Sequence, residues 1–405
     1  MNLVFSDQAL PSQVTKSLFL AGPSPRSLLE VDWRHEAVQL LAERGFDGTV
    51  FLPVPSYRFN ANVQDGAAHG WSYDNQVEWE VQARKMADIL VFWVPRVIDR
   101  TKADLGMPAF TTNFELGEDL HCGKVAYGRP DSAEKCKYLD KRVEEIGQPV
   151  HNDLRSLLED AMGRLAQGAL RTEGETRVPL FIWNSEPFQG WYANLRAAGN
   201  RLDDADLLNV VLFGGKHLFC FVLKVKVWVA QEQRHKSNEV VLARKDLSAV
   251  AAFYRDNTVT PGVTHLALVR EFRSPVSNAR GFVYELAGGS SNSAMAPEVN
   301  AQHELHEEMG LLISDLSRFK PVGVRQLAAT FSTHRAHVYT VELTRAEFAQ
   351  LQECAARGNA FGQTHDSERT YVELTTLEHV FTLPLDYSTL GMVYEASRVL
   401  GLPAT

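Results

Sequence analysis

Residues 298–312 have the sequence EVNAQHELHEEMGLL and predict a helix over Pro297–Met309. Glu304, Glu307 and Glu308 stand at positions i, i+3 and i+4, so all three project from one face of that helix. Like charges at this spacing cost a few tenths of a kcal/mol per pair unless a cation neutralises them. Because Mg²⁺ prefers carboxylate oxygens, the three glutamates are candidate metal ligands. On spacing alone, a solvated acidic face is the stronger interpretation.

The chain around this helix is rich in β-strand patterns. Strands are predicted at Leu207–Phe213, Leu218–Val229, Asn238–Leu242, His265–Glu271, Gly281–Leu286, Pro321–Leu327, His337–Leu343 and Thr370–Leu374. The pattern predicts an α+β domain in which a mixed sheet surrounds a central functional helix.

The spacing from Gly289 to Gly310 resembles the Nudix box, G-x5-E-x7-R-E-U-x-E-E-x-G-U with U aliphatic. Upstream, YELAGG (284–289) and LVREFRSPV (268–276) resemble segments of the ADP-ribose and nucleotide-sugar branch of that family. The resemblance covers about residues 205–395. Two positions depart from the box, because Met295 replaces its first glutamate and His303 replaces its arginine.

This resemblance implies a metal-dependent hydrolase of a nucleoside diphosphate-linked compound such as ADP-ribose. Mg²⁺ or Mn²⁺ would be held by Glu304, Glu307 and Glu308, with Glu307 also counted as catalytic, and would polarise an attacking water. Glu285 would support the metal or the substrate. Glu368 is a candidate general base, although an ordinary loop residue is an equal interpretation. Arg273 could hold phosphate or be an ordinary surface arginine.

The first 125 residues alternate strand and helix patterns instead. Strands are predicted at Leu18–Ala21, Thr49–Val54 and Ile89–Val94, and helices at Val31–Arg44 and Val77–Met86. Alternation of this kind predicts an α/β domain with a parallel sheet wrapped by helices.

Within this part, MPAFTTNFELGEDLHCGK (107–124) places Thr112 and Asn113 at the mouth of a helix that carries Glu115. Threonines at a helix start cap it, and the free N–H groups there suit an anion such as a 5′-phosphate. A glutamate in a first turn is also a routine partner of the helix dipole. On that observation alone, the dipole interpretation is the stronger one.

The N-terminal region contains, in order, the segments FLAGPSPR (19–26), ADILVFWVPR (87–96) and the N-x-E-x-G of the next helix. Together these three segments resemble the nucleoside 2-deoxyribosyltransferase family. The match covers about residues 15–128, and the family includes nucleotide N-hydrolases on a flavodoxin-like sheet. The resemblance implies Glu115 as the nucleophile that attacks the anomeric carbon, Asp88 as the acid that assists departure of the base, and Gly22 in the first turn.

The turn Pro23–Arg26 could cradle a phosphate through Ser24 and Arg26, or be a plain solvent loop. One position departs from the family: Leu18 and Phe19 stand where transferases carry a tyrosine. Hydrolysis of a nucleotide is therefore favoured over transfer of a deoxyribosyl group.

At 405 residues the chain is long enough for two domains. The polar, glycine-bearing stretch 167–179 is predicted to link a domain over 1–166 to one over 180–405. A net charge of −9 argues against a nucleic-acid polymer as partner, although a local pocket can still bind small nucleotides. Four dispersed cysteines and the lack of a signal-like or membrane-length apolar run predict a cytoplasmic protein without a membrane partner.

Two interpretations of function follow. The first is a bifunctional nucleotide-processing enzyme, with homo-oligomerisation a possibility that the family resemblance raises. The second is a nucleotide-sensing regulator, in which the altered Nudix domain binds a nucleotide and controls the glycosidase domain.

Overall fold

The structure of the chain is a computed structural model that describes residues 1–25, 31–61, 72–102, 106–165, 167–214, 217–291, 295–362 and 368–401. It divides into two compact units, unit 1 (Met1–Ala243) and unit 2 (Arg244–Thr405). No helix in the described ranges is long and apolar enough to cross a bilayer.

Unit 1 is built from thirteen described strands and eight described helices. The strands are β1 Asn2–Phe5, β2 Gln13–Val14, β3 Ser17–Ala21, β4 Thr49–Leu52, β5 Ile89–Trp93, β6 Val97–Ile98, β7 Gly106–Met107, β8 Val125–Gly128, β9 Val150–His151, β10 Arg171–Thr172, β11 Arg201–Phe213, β12 His217–Val229 and β13 Arg234–Arg244. The helices are α1 Trp33–Glu43, α2 Ser56–Ala61, α3 Tyr73–Met86, α4 Phe110–Asp119, α5 Lys137–Glu145, α6 Leu154–Leu165, α7 Leu180–Trp183 and α8 Glu186–Ala197.

Six of these strands form one parallel sheet in the order β1-β4-β3-β5-β8-β9. Successive residues of β3 face opposite sides: Leu18 and Leu20 pack into a core with α1 and α6, whereas Phe19 and Ala21 pack into a second core with α3 and α4. Every residue of β3 is buried, as a strand covered by helices on both faces requires. The predicted parallel sheet of the N-terminal region is confirmed.

The segment predicted as a linker, residues 167–179, is ordered within unit 1. Its strand β10 pairs with β2, and the guanidinium of Arg171 is buried against Asp88, with Nη1–Oδ1 and Nη2–Oδ2 distances of 2.6 and 2.7 Å. The compact units divide between Ala243 and Arg244, well after that segment. Its polar composition reflects one buried ion pair and a short 3₁₀ turn at Glu173–Arg177.

Unit 1 continues with a three-stranded antiparallel sheet in the order β11-β12-β13. Buried side chains of β12, including Phe221, Leu223 and Val225, share a core with Phe188 of α8. On the other face, Asp204 and Asp206 of β11 lie directly opposite Lys226 and Lys224. Opposite charges at facing positions stabilise such a pair of strands.

Unit 2 contains a mixed sheet and four described helices. Its strands are β14 Leu247–Asp256, β15 Val263–Phe272, β16 Phe282–Glu285, β17 Ala287–Gly289, β18 Lys320–Gln326, β19 Arg335–Glu342, β20 Ala360–Phe361 and β21 Thr370–Thr376. Its helices are α9 Pro297–Met309, α10 Arg345–Arg357, α11 Leu377–Val380 and α12 Tyr387–Val399.

The eight strands include the path β18-β19-β14-β15-β21-β20, with β16 on β15 and β17 on β14. Only β14 and β19 among the described pairings of this sheet run parallel, which confirms the predicted mixed sheet. Helix α9 packs on one face through Ala301, Leu305 and Met309. Its bounds, Pro297–Met309, agree with the sequence prediction.

The Arg171–Asp88 pair generates a stability prediction. Replacing Arg171 with Met should lower the free energy of unfolding of unit 1 by about 3–5 kcal/mol, because it leaves a buried carboxylate without its counter-charge. All seven tryptophans of the chain lie before residue 244, so tryptophan fluorescence during denaturant unfolding reports on unit 1 alone.

Lys85→Met is the matched control, since Lys85 pairs with Asp206 at the surface and its loss should cost less than about 1 kcal/mol. Equal unfolding midpoints for the two variants would show that the buried pair contributes nothing special to stability.

Candidate active sites

A cavity of about 720 Å³ opens in unit 1 beyond the carboxyl ends of β3 and β4. Residues that follow these strands, together with α3 and the first turns of α4, form its wall. The side chains and turns used below all line it: Gly22, Ser24, Arg34, Gln76, Glu80, Arg84, Thr112, Glu115 and Glu118. The carboxyl end of a parallel sheet is where α/β proteins commonly bind ligands.

The turn after β3 requires glycine at position 22. A Cβ on Gly22 would lie 2.2 Å from the carbonyl oxygen of Trp93 and 2.8 Å from the ring of Trp33, and φ is +155°. Arg34, which is fully buried, holds this turn by donating from Nη2 to the Gly22 carbonyl (2.6 Å) and from Nη1 to Ser24 Oγ (3.2 Å). The predicted residues Gly22 and Ser24 therefore both lie at the cavity, whereas Arg26 lies outside the described residues.

Two carboxyl groups meet inside the cavity, because Glu80 of α3 and Glu115 of α4 are hydrogen-bonded to each other. Burial, followed by the charge of Glu80, raises the pKa of Glu115 to about 7. Burial also raises the pKa of Glu80, although Gln76 opposes this by donating from Nε2 to Glu80 Oε1 at 2.7 Å. The pair therefore binds a proton more tightly than two separate surface glutamates would, a property that general acid–base chemistry uses.

Helix α4 brings Glu115 to this position with an unusual start. Ala109, the residue before the helix, has a left-handed φ of 58°, and no side chain caps the helix. The prediction that threonines cap the helix is therefore wrong, since Thr112 is a buried first-turn residue that lines the cavity. Asn113 points elsewhere and accepts a hydrogen bond from Arg96.

Asp88 does not reach the cavity. It precedes β5 and so lies at the amino end of the sheet, opposite the cavity, and it is 1% exposed. Its carboxylate accepts hydrogen bonds from Arg171, Ser17 Oγ (2.9 Å) and the backbone N–H of Leu180 (2.8 Å). The assignment of Asp88 as the acid that assists departure of a base is corrected, because its carboxylate is buried away from the cavity, whereas Glu80 lines the cavity beside Glu115.

One row of side chains on helix α9 of unit 2 contacts strand β17. Asn300 Nδ2 donates to the Gly289 carbonyl, and Glu308 Oε2 accepts from the Gly288 N–H, both at 2.8 Å. Glu304 lies so close to Gly289 that a Cβ there would be 2.7 Å from its Oε2. A side chain at position 289 would therefore displace the Glu304 carboxylate.

Several further carboxylates surround this row. Arg273 Nη2 lies 2.7 Å from Glu271, 3.4 Å from Glu285 and 3.9 Å from Glu368. Arg273, predicted to hold a phosphate, is in the structure the cation that three carboxylates share.

Crowding of negative charge raises the pKa values in this cluster. Burial and then Glu307 raise the pKa of Glu304 to about 7, and burial and then Glu304 raise the pKa of Glu308 well above its usual range. Glu368 contributes to both shifts, which places the predicted base near the predicted ligands.

The oxygen donors of this cluster match the chemistry of a hard divalent cation, and their mutual repulsion would be relieved by one. However, within the described residues no three His, Cys, Asp or Glu side chains are arranged to hold a metal ion. Glu308 is committed to Gly288, and Glu307 is half-buried with its backbone carbonyl bonded to Gly362. The donor set is present, but the described side chains do not form an assembled site.

Sequence reasoning missed Glu80, Arg34 and Arg84, which all line the cavity. Glu80 and Arg84 stand at i and i+4 on α3, a spacing that ordinarily marks an ion pair on a helix surface. Only the packing of α3 against α4 turns these residues towards Glu115.

Residues 15–131 match a family model described as nucleoside 2-deoxyribosyltransferase like, so the resemblance of the N-terminal region to that family is confirmed. Solved structures that are similar to part of the chain include the following two. A mutT/nudix family protein from Listeria innocua has 15% identity and a TM-score of 0.30, covering 39% of this chain and 94% of its own.

An ADP compounds hydrolase has 14% identity and a TM-score of 0.32, covering 50% of this chain and 96% of its own. No curated protein matches the sequence.

The raised pKa of Glu115 predicts a pH-dependent cost in stability. The folded state binds this proton more tightly than the unfolded state, so the free energy of unfolding falls as pH rises from the unfolded pKa, about 4.3, towards the folded value. Glu115→Gln cannot ionise and should stabilise unit 1 relative to the wild type by about 1–3 kcal/mol near pH 8, with a smaller gain near pH 5.

Denaturant unfolding, followed by tryptophan fluorescence, measures the free energy of unfolding of the variant and the wild type near pH 8 and near pH 5. Glu144→Gln, at an exposed position on α5, is the control and should give no pH-dependent difference. An equal effect of Glu115→Gln at both pH values would contradict the burial of an ionisable Glu115.

Proposed function

We propose that unit 1 cleaves the N-glycosidic bond of a nucleotide, or transfers its deoxyribosyl group. The observation that carries this proposal is the hydrogen-bonded Glu80–Glu115 pair inside a cavity large enough for a small molecule. A pair of carboxyl groups, one protonated and one charged, is what retaining glycosidic chemistry needs.

In the proposed reaction a carboxylate oxygen of Glu115 bonds to the anomeric carbon while the carbon–nitrogen bond breaks. The electron pair leaves with the base, which takes a proton from Glu80. Glu80, now charged, removes a proton from a water that attacks the glycosyl ester and frees Glu115. Transfer would replace that water with a second base.

The surroundings of the pair support a nucleotide as the substrate. Uncapped N–H groups at the start of α4 and the hydroxyl of Ser24 are donors that suit a 5′-phosphate. The order β4-β3-β5-β8-β9 matches the 2-1-3-4-5 arrangement of flavodoxin-like sheets, which supports that finer assignment of the fold.

The first functional prediction concerns Glu115. Glu115→Ala should abolish release of free base from a nucleoside monophosphate, because no nucleophile remains, while binding of that nucleotide persists. Incubating the wild type with a slow 2-fluorinated sugar substrate should leave a glycosyl ester on the peptide that contains Glu115, detectable by mass spectrometry.

Asp88→Asn serves as the contrast: as far as it folds, it should retain base release, since Asp88 is remote from the cavity. Base release at the wild-type rate in Glu115→Ala would refute the nucleophile assignment.

We infer that unit 2 hydrolyses a nucleoside diphosphate-linked compound such as ADP-ribose with the help of Mg²⁺ or Mn²⁺. Glu304, Glu307 and Glu308 would hold the ion, which would supply an activated water and polarise the diphosphate. The support is the cluster of carboxylates on and around α9, in which burial and then the neighbouring glutamates raise the pKa values of Glu304 and Glu308.

One observation favours the second candidate function, a nucleotide sensor. The described part of unit 2 has no assembled group of three metal-binding side chains, and the Nudix-like box lacks its first glutamate and its arginine. Such a domain would bind a nucleotide and regulate unit 1 without turnover.

The variant Glu308→Gln separates these two functions. If unit 2 is a hydrolase, Mg²⁺-dependent formation of phosphate-ester product from ADP-ribose should fall by at least about 90% in the variant. The variant should keep its fold, because glutamine is isosteric with glutamate. Glu353→Gln, on the exposed face of α10, is the control. Binding of ADP-ribose by the wild type with no product at any Mg²⁺ concentration would establish the sensor instead.

A further inference from the structure

Arg84 joins the two helices that carry the carboxyl pair. Its Nη1 donates to Asp119 Oδ2 at 2.8 Å, and its Nη2 donates to Glu118 Oε2 at 2.9 Å. Arg84 lies one turn beyond Glu80 on α3, and its two partners lie one turn beyond Glu115 on α4. The guanidinium therefore spans the same two helices as the pair itself.

The position of Arg84 is fixed, but one of its donors is not used. The buried Lys124 donates from Nζ to the backbone carbonyls of Arg84 (2.5 Å) and Ala87 (3.1 Å), which anchors the end of α3. Arg84 is 8% exposed and lines the cavity, and its Nε–H has no hydrogen-bond partner among the described residues. A buried N–H left without a partner is costly, so a partner acquired during the reaction would explain it.

The groups that surround Glu80 favour a negative charge on it. Gln76 donates to Glu80 Oε1, and the buried cation Arg34 acts in the same direction. The hydrogen bond between the two carboxyl groups lowers the pKa of Glu80 and raises that of Glu115, which favours protonation of Glu115 over Glu80. Nucleophilic attack requires the reverse arrangement.

We propose that Arg84 is a positioning residue, which holds the negative charge on Glu115 once the shared proton has moved to Glu80. In that step the O–H bond of Glu115 breaks and an O–H bond forms on Glu80, so the two groups exchange charge and nothing else is consumed. In this proposal the charged Glu115 is the acceptor that the Nε–H of Arg84 lacks in the absence of substrate. This inference rests on the function proposed for unit 1 and adds a residue that stabilises the charged form of its nucleophile.

The groups around Glu115 make the effect of losing Arg84 predictable. Burial, Glu80 and Asp119 all raise the pKa of Glu115, and Arg84 is the cation that lowers it. Glu118 adds negative charge beside Arg84, and Arg34 and Arg84 both lower the pKa of the partner Glu80. Without Arg84, the described groups that remain around Glu115 oppose its ionisation.

The test measures the protonation of Glu115 directly in the full-length protein without substrate. A water-soluble carbodiimide labels protonated carboxyl groups, and mass spectrometry of the Glu115 peptide gives the pH midpoint of labelling. Arg84→Met should raise that midpoint by about one pH unit or more, a tenfold change in ionisation. Lys85→Met should match the wild type, and Gln76→Leu should lower the midpoint. An unchanged midpoint in Arg84→Met overturns the proposal.

A second readout uses base release. The acidic limb of the kcat profile should move to higher pH in Arg84→Met by the same amount as the labelling midpoint, with little change in KM. If Arg84→Met does not fold, Arg84→Gln replaces it: glutamine keeps a polar side chain but carries no charge, so the midpoint should still rise, and no rise overturns the proposal. If the wild type releases no base, the function proposed for unit 1 fails, while the labelling experiment still decides the role of Arg84.

Discussion

Burial of one carboxyl group beside another is the constraint on which both candidate sites depend. Two such groups cannot both carry full charge out of water, so either a proton or a cation must accompany them. In unit 1 burial raises the pKa of both Glu80 and Glu115, which favours a proton on the pair, while Arg34 and Arg84 oppose the rise for Glu80 and Arg84 opposes it for Glu115. In unit 2 Arg273 is shared among three acids, while the acids of α9 remain crowded.

The parallel sheet explains why unit 1 has a cavity where it does. Helices must cover both faces of a sheet whose strands are buried throughout, which leaves the carboxyl ends of the strands as the open edge. The turn at Gly22 and the start of α4 meet there because β3 and β5 are neighbours and α4 follows β5 along the chain. Glu80 reaches the same place from the helix that precedes β5.

Much of this could be predicted from the sequence, and the exceptions have physical causes. Alternation of patterns predicted the parallel sheet, and apolar spacing predicted α9, because both signals are local. Strand β14 was not predicted from the sequence, because LSAVAAFYRD is buried on both faces and rich in alanine and so lacks the alternation of a half-buried strand. Asp88 was misassigned because sequence shows that a residue opens a strand, but not which edge of the sheet carries the ligand.

The Arg171–Asp88 contact also determines how the chain can be divided. Cutting after residue 166, where composition alone places the end of the first domain, would remove the guanidinium and β10 while leaving Asp88 in the sheet. Such a fragment would keep Glu80 and Glu115 but would bury the charge of Asp88, without a counter-charge, at the amino end of the same sheet. The smallest autonomous piece of unit 1 must therefore extend past Leu180, whose N–H also binds Asp88, so the segment after residue 166 is part of the fold of unit 1.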